Sequence, residues 1–443
     1  MAELRPNVVL MICHDLGRRL GCYGVPGLQT PNFDRLAAAG IRFTQQFSTC
    51  PLCSPSRGSI VTGCYPHSVG LNGLVNRGWD MVDGVPTLPQ LLAGAGYETA
   101  LFGMQHEKQN PLRMGYGRYL HAQPPHLAGE IAPLVADFVA TRRPDDHPFF
   151  ANIATFETHR PFKHARYTPD DPATVDVPPY LPDHPAVRED LADFHGLIHA
   201  ADAAVGQILD AIERSPVGAN TLFIFTSDHG IAFPRAKSTL YDSGIGTALL
   251  MRWPAHIAAG RVSGALLSNV DLTPTILDCC NVPPSPCAQG RSYAPLLAGQ
   301  GLSAGAGAGG RQEIFAEKTY HDIYDPRRVV RTARWSYIRN FAEGPALPLP
   351  TDIAAGLSAT ALGPERDAPR PPEELYDLQA DPHQLHNLAG EVAHADTKAG
   401  LRLRLDAWQE QTGDPLLRGV VPEPPQPPRP ARSVPPPAAQ AAG

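Results

Sequence analysis

Five consecutive residues, Cys53-Ser54-Pro55-Ser56-Arg57, combine a nucleophile, a helix-starting pattern and a fixed positive charge. A serine cap and an early proline predict a helix that begins at the cysteine. A helix start gathers unpaired N–H groups that attract anions, and Arg57, one turn in, adds a permanent positive charge beside the same spot. The position suits a nucleophile attacking an anionic group. Cys53 also closes Cys50-Pro51-Leu52-Cys53, a CxxC spacing used by redox pairs and by half of a zinc site. The zinc reading needs further matched ligands, and the redox reading needs a thioredoxin-like context that the flanking sequence lacks. A third reading makes Cys53 a buried structural thiol, as the other seven cysteines are expected to be.

Four polar sites each follow an apolar run. Residues 8–13 end at His14-Asp15-Leu16-Gly17, and residues 99–102 end at Gly103 with His106 just beyond. Residues 149–156 end near His159, and residues 221–225 end at Thr226-Ser227-Asp228-His229-Gly230. Continuous apolar runs of this kind predict buried parallel strands. Helical patterns lie between them at 30–40, 87–95 and 190–214. Alternating strands and helices predict an α/β fold, a mostly parallel sheet sandwiched by helices. Ligands bind such sheets beyond the carboxyl ends of the strands, so Asp15, His106, His159 and Asp228 are expected to converge on one rim.

Residues 1–298 read as the catalytic domain and 299–310 as a Gly/Ala-rich connection. Residues 311–419 then form a smaller C-terminal α+β subdomain with a hairpin over 329–338 and a closing helix over 398–411, followed by a disordered Pro/Ala-rich tail at 420–443. The formal net charge of -7, with no basic block, argues against nucleic acid as a partner. The polar first seven residues and the short apolar run after them predict neither a signal peptide nor a membrane span, and therefore a cytoplasmic protein.

Cys-x-Pro-Ser-Arg, followed by a small-residue and apolar helix ending in Thr62-Gly63, resembles the signature of the sulfatases, which belong to the alkaline phosphatase superfamily. The resemblance implies that Cys53 is oxidised to formylglycine (3-oxoalanine) by a formylglycine-generating or sulfatase-maturating enzyme. The hydrated aldehyde attacks sulfur through one hydroxyl, and the second lets the aldehyde re-form. It also implies a divalent metal held by Asp15, Asp228, His229 and the modified Cys53, where hard carboxylate oxygens suit Ca²⁺ or Mg²⁺. His106 and His159 match the family histidines that assist the leaving group and hold sulfate, and Lys237 matches a late basic residue that contacts the sulfate. Taken singly, an Asp-rich loop is often only a turn, a histidine only a core or surface residue, and a lysine only a surface charge.

Further blocks similar to sulfatases are Thr30-Pro31-Asn32-Phe33-Asp34-Arg35-Leu36, Asp271-Leu272-Thr273-Pro274-Thr275-Ile276-Leu277-Asp278 and Glu374-Leu375-Tyr376-Asp377-Leu378. Several stretches, among them Thr158-His159-Arg160-Pro161 and Gly230-Ile231-Ala232-Phe233-Pro234, look like the N-sulfoglucosamine sulfohydrolase (sulfamidase) branch. That likeness implies removal of sulfate from a terminal glucosamine or another sulfated saccharide or small molecule. An O-specific arylsulfatase is an alternative, as is a phosphatase or phosphonate monoester hydrolase of the same superfamily, or a decayed binding protein. Two residues depart from the pattern: His14 stands first in a usual Asp-Asp pair, and Met104 replaces a usual lysine before His106. His321, Asp322 and Arg331 are available to a sugar, without an assigned role.

Overall fold

The computed structural model describes residues 5–120, 124–299 and 310–425. Eight strands build the main sheet: β1 (Asn7–Cys13), β2 (Ile41–Phe47), β3 (Glu98–Gly103), β4 (Arg118–Leu120), β5 (Phe149–Ala154), β6 (Thr221–Ser227), β7 (Gly246–Arg252) and β8 (Arg261–Ser268). Their order is β4-β3-β5-β1-β6-β7-β2-β8. β4, β3, β5, β1 and β6 run parallel to one another, whereas β7 is antiparallel to both β6 and β2. β1, β3, β5 and β6 thus lie on the apolar runs 8–13, 99–102, 149–156 and 221–225, although β5 ends at Ala154, two residues short of its run.

β1 shows why a continuous apolar run forms such a strand. All seven of its residues are buried, and alternate side chains point to opposite faces. Val9 and Met11 join one core layer with α4 (Ala128–Ala140) and α5 (Pro185–Arg214), here numbered after α1 (Pro31–Ala38), α2 (Cys53–Thr62) and α3 (Leu88–Gly94). Val8, Leu10 and Ile12 join the other layer, with Ile60 and Val61 of α2 and Leu88 and Leu92 of α3. The sheet is therefore covered on both sides, as its composition requires.

Sequence signals at the helix ends were partly misleading. α2 does start at Cys53, but its N-cap is Leu52, which makes no side-chain bond. Ser54 does not cap it; its Oγ instead accepts from the Val75 N–H at 3.1 Å. α5 begins five residues before the expected 190, because His184 Nδ1 accepts from the Ala186 N–H and Pro185 fits the first helical position.

A second, antiparallel sheet of four strands has the order β12-β11-β10-β9, formed by β9 (Glu313–Tyr320), β10 (Tyr324–Thr332), β11 (Trp335–Asn340) and β12 (Glu373–Asp377). The expected hairpin is β10–β11. One face of this sheet packs Ile314, Ala316, Val329 and Ile338 against Phe47, Leu240 and Ile245 of the larger unit. The other face receives Leu401, Leu405 and Trp408 of the closing helix Ala395–Thr412. The chain also stays ordered further than 419: Val421 packs against Trp79 and Tyr320, and its carbonyl accepts from Tyr320 Oη at 2.8 Å. Of the expected disordered tail, 426–443 lies outside the described residues, as do 300–309 of the Gly/Ala-rich connection. Among the described residues, no helix is long and apolar enough to cross a membrane.

A buried ion network ties the two sheets together. Arg328 on β10 is fully buried and donates to both Asp414 oxygens, at 2.6 and 2.9 Å. Its neighbour Glu317 accepts from the His67 N–H at 3.0 Å, which draws in the loop after α2. Asp414→Ala leaves the guanidinium short of a partner and is expected to cost about 3–5 kcal/mol, read as a lower urea midpoint. Burial opposes ionisation of Asp414, but Arg328 outweighs it and holds the carboxyl below its usual range. This stabilisation is therefore present at neutral pH and lost as pH falls through the folded pKa, which lies below the ordinary carboxylate value of about 3.9. As pH falls below about 3.9 the wild type should lose more stability than the variant.

Candidate active site

The ends of β1, β5 and β6 are stitched together before any catalytic group is considered. The Asp228 N–H donates to Cys13 O at 3.1 Å, and the His14 N–H donates to Glu157 O at 3.1 Å. Asp15 adopts a left-handed backbone with φ 48, a conformation aspartate tolerates better than most residues. That turn aims its N–H at Asp228 Oδ1, 2.9 Å away. Ser227 Oγ accepts from the Leu16 and Gly17 N–H groups at 3.1 and 3.2 Å and donates to His229 O.

α2 is locked onto the same loop by its own sequence. Ser56 Oγ donates to Asp228 O, and Asn269 Nδ2 donates to Ser56 Oγ at 2.8 Å. Arg57 Nε donates to Asp228 Oδ2 at 3.0 Å, with both side chains fully buried. Gly58 leaves room that a Cβ would lose, since one built there lies 2.4 Å from Leu71 Cδ1. Each position after the cysteine thus has a structural task. Cys53, at the positive end of the helix, is delivered to the cluster.

Cys53 Sγ lies 3.3 Å from His229 Nε2 and 3.9 Å from Asp15 Oδ1. Burial pushes its thiol well above the usual range, with Lys237 pulling the other way. An unmodified Cys53 is therefore a protonated, poor nucleophile at neutral pH. Cys50 and Cys53 are both free thiols. Among the described residues, Cys50 belongs to no cluster able to hold a metal, so the CxxC readings gain no support.

His14, Asp15, Cys53 and Asp228 offer ligand atoms that all lie within 4.8 Å of one another. His229 joins them, its Nε2 3.1 Å from Asp15 Oδ1. The His229 Nδ1 atom lies 3.0 Å from Gly230 O. A carbonyl only accepts, so Nδ1 carries a proton and Nε2 is the nitrogen that faces the Asp15 carboxylate. His14 Nδ1 stands 3.1 Å from Asp228 Oδ2, yet neither of its buried ring nitrogens makes a well-formed hydrogen bond. Burial, and then the charge of Arg57, lower the His14 pKa to about 4, which keeps the imidazole neutral and able to ligate. The donor set of two carboxylates and two imidazoles fits a divalent cation. The sequence offered His14 only as a departure, but its position beside the Asp228 carboxylate makes it a member of this set.

Lys237 closes the other side. Its Nζ donates to Asp15 Oδ2 and Asp352 Oδ2, both at 2.8 Å, and lies 3.4 Å from His159 Nε2. Burial opposes its charge, but Asp15 and Asp352 hold the ammonium well above its usual pKa. His159 Nδ1 donates to Arg160 O at 2.6 Å, which leaves Nε2 facing Lys237. His106 lies near enough to His14, Arg57 and His159 to feel their charges; burial first, and then those neighbours, lower its pKa to about 3. Its Nδ1 is buried without a partner. Met104 hydrogen-bonds only through its backbone, to Ala154 O.

Asp352 was not among the residues its sequence context marked out. It sits in a four-residue helix, Thr351–Ala354, inside a proline-rich stretch with no periodicity to mark it. Asp322, left without a role, fixes that helix by accepting from the Thr351 N–H at 2.7 Å and also pairs with Arg77. His321 Nδ1 is 3.0 Å from Asp322 Oδ2. Arg331 is elsewhere, paired with Asp242 at 2.9 Å and lining a separate cavity with Arg18 and Arg19.

A family model described as "Sulfatase" matches residues 6–282, and one described as "N-sulphoglucosamine sulphohydrolase, C-terminal" matches 229–346. The chain is 31% identical to human N-sulphoglucosamine sulphohydrolase, with 94% of this chain and 92% of the relative covered. It is also 31% identical to human arylsulfatase A, over 88% of this chain and 84% of the relative. Its fold is similar, with a TM-score of 0.72 and 21% identity over 93% of this chain and 98% of the other, to a protein solved in complex with its substrate D-glucosamine-2-N,6-O-disulfate. These likenesses and the strand order agree, and the chain belongs to the sulfatase family of enzymes, which hydrolyse sulfuric esters or sulfamates.

Proposed function

We propose that this enzyme removes sulfate from N-sulfoglucosamine or another sulfated sugar, using a formylglycine made from Cys53 and a divalent cation. The observation that carries the reading is the placement of Cys53 Sγ, at the start of a buried helix, against both Asp15 and His229. Asp15, Asp228, His229 and residue 53 would hold the cation, with His14 adding a nitrogen donor. Ca²⁺ or Mg²⁺ bound there would neutralise sulfate oxygens and orient the nucleophile, while formylglycine would supply a hydroxyl that a thiol cannot.

The remaining residues have tasks of their own. Arg57 fixes the Asp228 carboxylate and keeps positive charge behind the nucleophile. Lys237 offers its ammonium to sulfate oxygens. His159 keeps a proton on Nδ1 against Arg160 O, so Nε2 is the nitrogen placed to exchange a proton with the leaving atom. His106, neutral and partly buried, donates or accepts at the rim without adding charge. Burial of Asp15, Cys53, Asp228 and Lys237 excludes bulk water and strengthens each of these interactions.

Two measurements test the reading. Mass spectrometry of the peptide containing Cys53, from protein made in its own host, should show the thiol replaced by an aldehyde; an alkylatable cysteine throughout an active preparation refutes the mechanism. Rates on N-sulfoglucosamine, an aryl sulfate and an aryl phosphate should rank the sulfamate first.

The two departures from the family pattern make a linked prediction. His14 removes one negative charge and Met104 one positive charge, so the changes offset each other and the imidazole softens the metal preference. His14→Asp and Met104→Lys are each expected to lower kcat/KM about tenfold, with the double variant recovering much of the loss through a coupling of roughly 1 kcal/mol or more. Metal content per chain, measured on all four proteins, should shift toward harder ions with His14→Asp. Strictly additive losses would contradict the compensation.

A further inference from the structure

We propose that Asp352 makes the site selective for a leaving group that departs as a cation, an amine, over one that departs as an alcohol or phenol. The inference rests on the sulfohydrolase reading above and names the residue that would decide between its N-linked and O-linked substrates. The two reactions differ in charge. Hydrolysis of a sulfamate, R–NH–SO₃⁻ with water, breaks the S–N bond and yields R–NH₃⁺ and SO₄²⁻. Hydrolysis of an ester, R–O–SO₃⁻ with water, breaks the S–O bond and yields neutral R–OH, SO₄²⁻ and a free proton. A fixed carboxylate on the leaving side therefore stabilises the first product and does nothing comparable for the second.

Asp352 is placed for that task. Its carboxylate lies within 4.8 Å of ligand atoms of Asp15 and His159, beside Lys237 and beside His159, whose Nε2 is the nitrogen proposed above to serve the leaving atom. Lys237 contacts one oxygen of Asp15 and one of Asp352; a single ammonium cannot neutralise both carboxylates. The second oxygen, Asp352 Oδ1, is buried and has no hydrogen-bond partner. That orphan acceptor is what an ammonium donor would satisfy. Asp352 also lines a cavity of about 420 Å³ that carries Glu189, Asp190 and Asp193 against Arg160 and Lys163. This volume lies within the range of about 300–1,000 Å³ typical of small-ligand sites; Arg160 is paired with Asp190 and Lys163 with Glu189, so the lining keeps more carboxylates than cations, which favours an amino sugar over a neutral one. Asp322 holds the short helix that carries Asp352, so the carboxylate does not rely on substrate to order it.

The test compares wild type, Asp352→Asn and Asp352→Glu on N-sulfoglucosamine and on 4-nitrophenyl sulfate, with sulfate release as the readout. Asn keeps the shape and an acceptor for Lys237, and thermal melting checks that each variant folds. A charge-assisted hydrogen bond sets the scale: in Asp352→Asn, kcat/KM should fall about tenfold or more further on N-sulfoglucosamine than on the aryl sulfate. Inhibition by glucosamine at pH 6, where it is an ammonium, should weaken by about tenfold, and inhibition by neutral N-acetylglucosamine should not change. Glu should restore part of both effects. Equal losses on the two substrates with unchanged glucosamine inhibition would reduce Asp352 to a support for Lys237 and overturn the inference. A wild-type enzyme that releases sulfate from neither substrate would instead overturn the functional reading beneath it.

Discussion

Cys53→Ala is expected to abolish turnover on every sulfated substrate, by about a thousandfold or more, while leaving the fold in place. The side chain is small and its apolar neighbours are few: Cys50, Leu52 and Leu74. Removing one sulfur atom from this cluster should cost about 1 kcal/mol. The catalytic loss is of another order, because Asp15, Asp228, His229, Arg57 and Lys237 converge on that position and none of them is a nucleophile. Sulfate release and a melting curve on the same sample separate the two effects. Residual activity above a hundredth of wild type would show that attack comes from elsewhere.

Asp228→Asn should combine a comparable loss of activity with a loss of stability. Asp228 accepts from the fully buried Arg57 and from the Asp15 N–H, and its Oδ2 lies 3.1 Å from His14. Burial opposes its charge, but His229, Arg57 and His14 hold its carboxyl well below the usual range. Asn keeps the shape and removes the charge, so the Arg57 guanidinium is left uncompensated in a site from which water is excluded. Breaking a buried pair in this way costs about 3–5 kcal/mol, and losing one of the two carboxylates proposed to hold the cation should lower metal affinity about tenfold or more. Denaturant unfolding and metal stoichiometry read the two effects. A variant of wild-type stability that retains metal would show that the Arg57–Asp228 pair holds neither the loop nor the ion.

Where the sequence spoke clearly, local rules were enough. Residues 8–13 and 221–225 are apolar throughout because both faces of β1 and β6 are covered, so their pattern had one solution. Pro55 and Gly63, the latter with φ 74 at the helix end, bracketed α2. The convergence expected of Asp15, His106, His159 and Asp228 was an argument from topology, which needs only that the strands be parallel. Other features depend on partners distant in the chain. The reversed direction of β7 is not a local property of its residues. Asp352 is 115 residues from Lys237, in a stretch whose prolines suppress any periodic pattern. His184 as a helix cap and Val421 as a core residue broke compositional expectations for the same reason: tertiary contacts decided them.

The depth of residue 53 also bears on when the protein can be made active. Cys53 is only 3% exposed, at the start of a helix whose first two turns are bonded to Asp228 and Asn269. A second protein that oxidises this side chain must reach the sulfur, and the folded chain buries it. For the conversion proposed above, folding and maturation are therefore competitors: each chain has one interval, before α2 docks onto the β6 loop, in which it can be armed. A molecule that folds first is sealed with its thiol inside. The fraction of active enzyme in any preparation is then set by a race between two rates during synthesis, and neither added metal nor added maturation enzyme recovers the chains that lost it without first unfolding them.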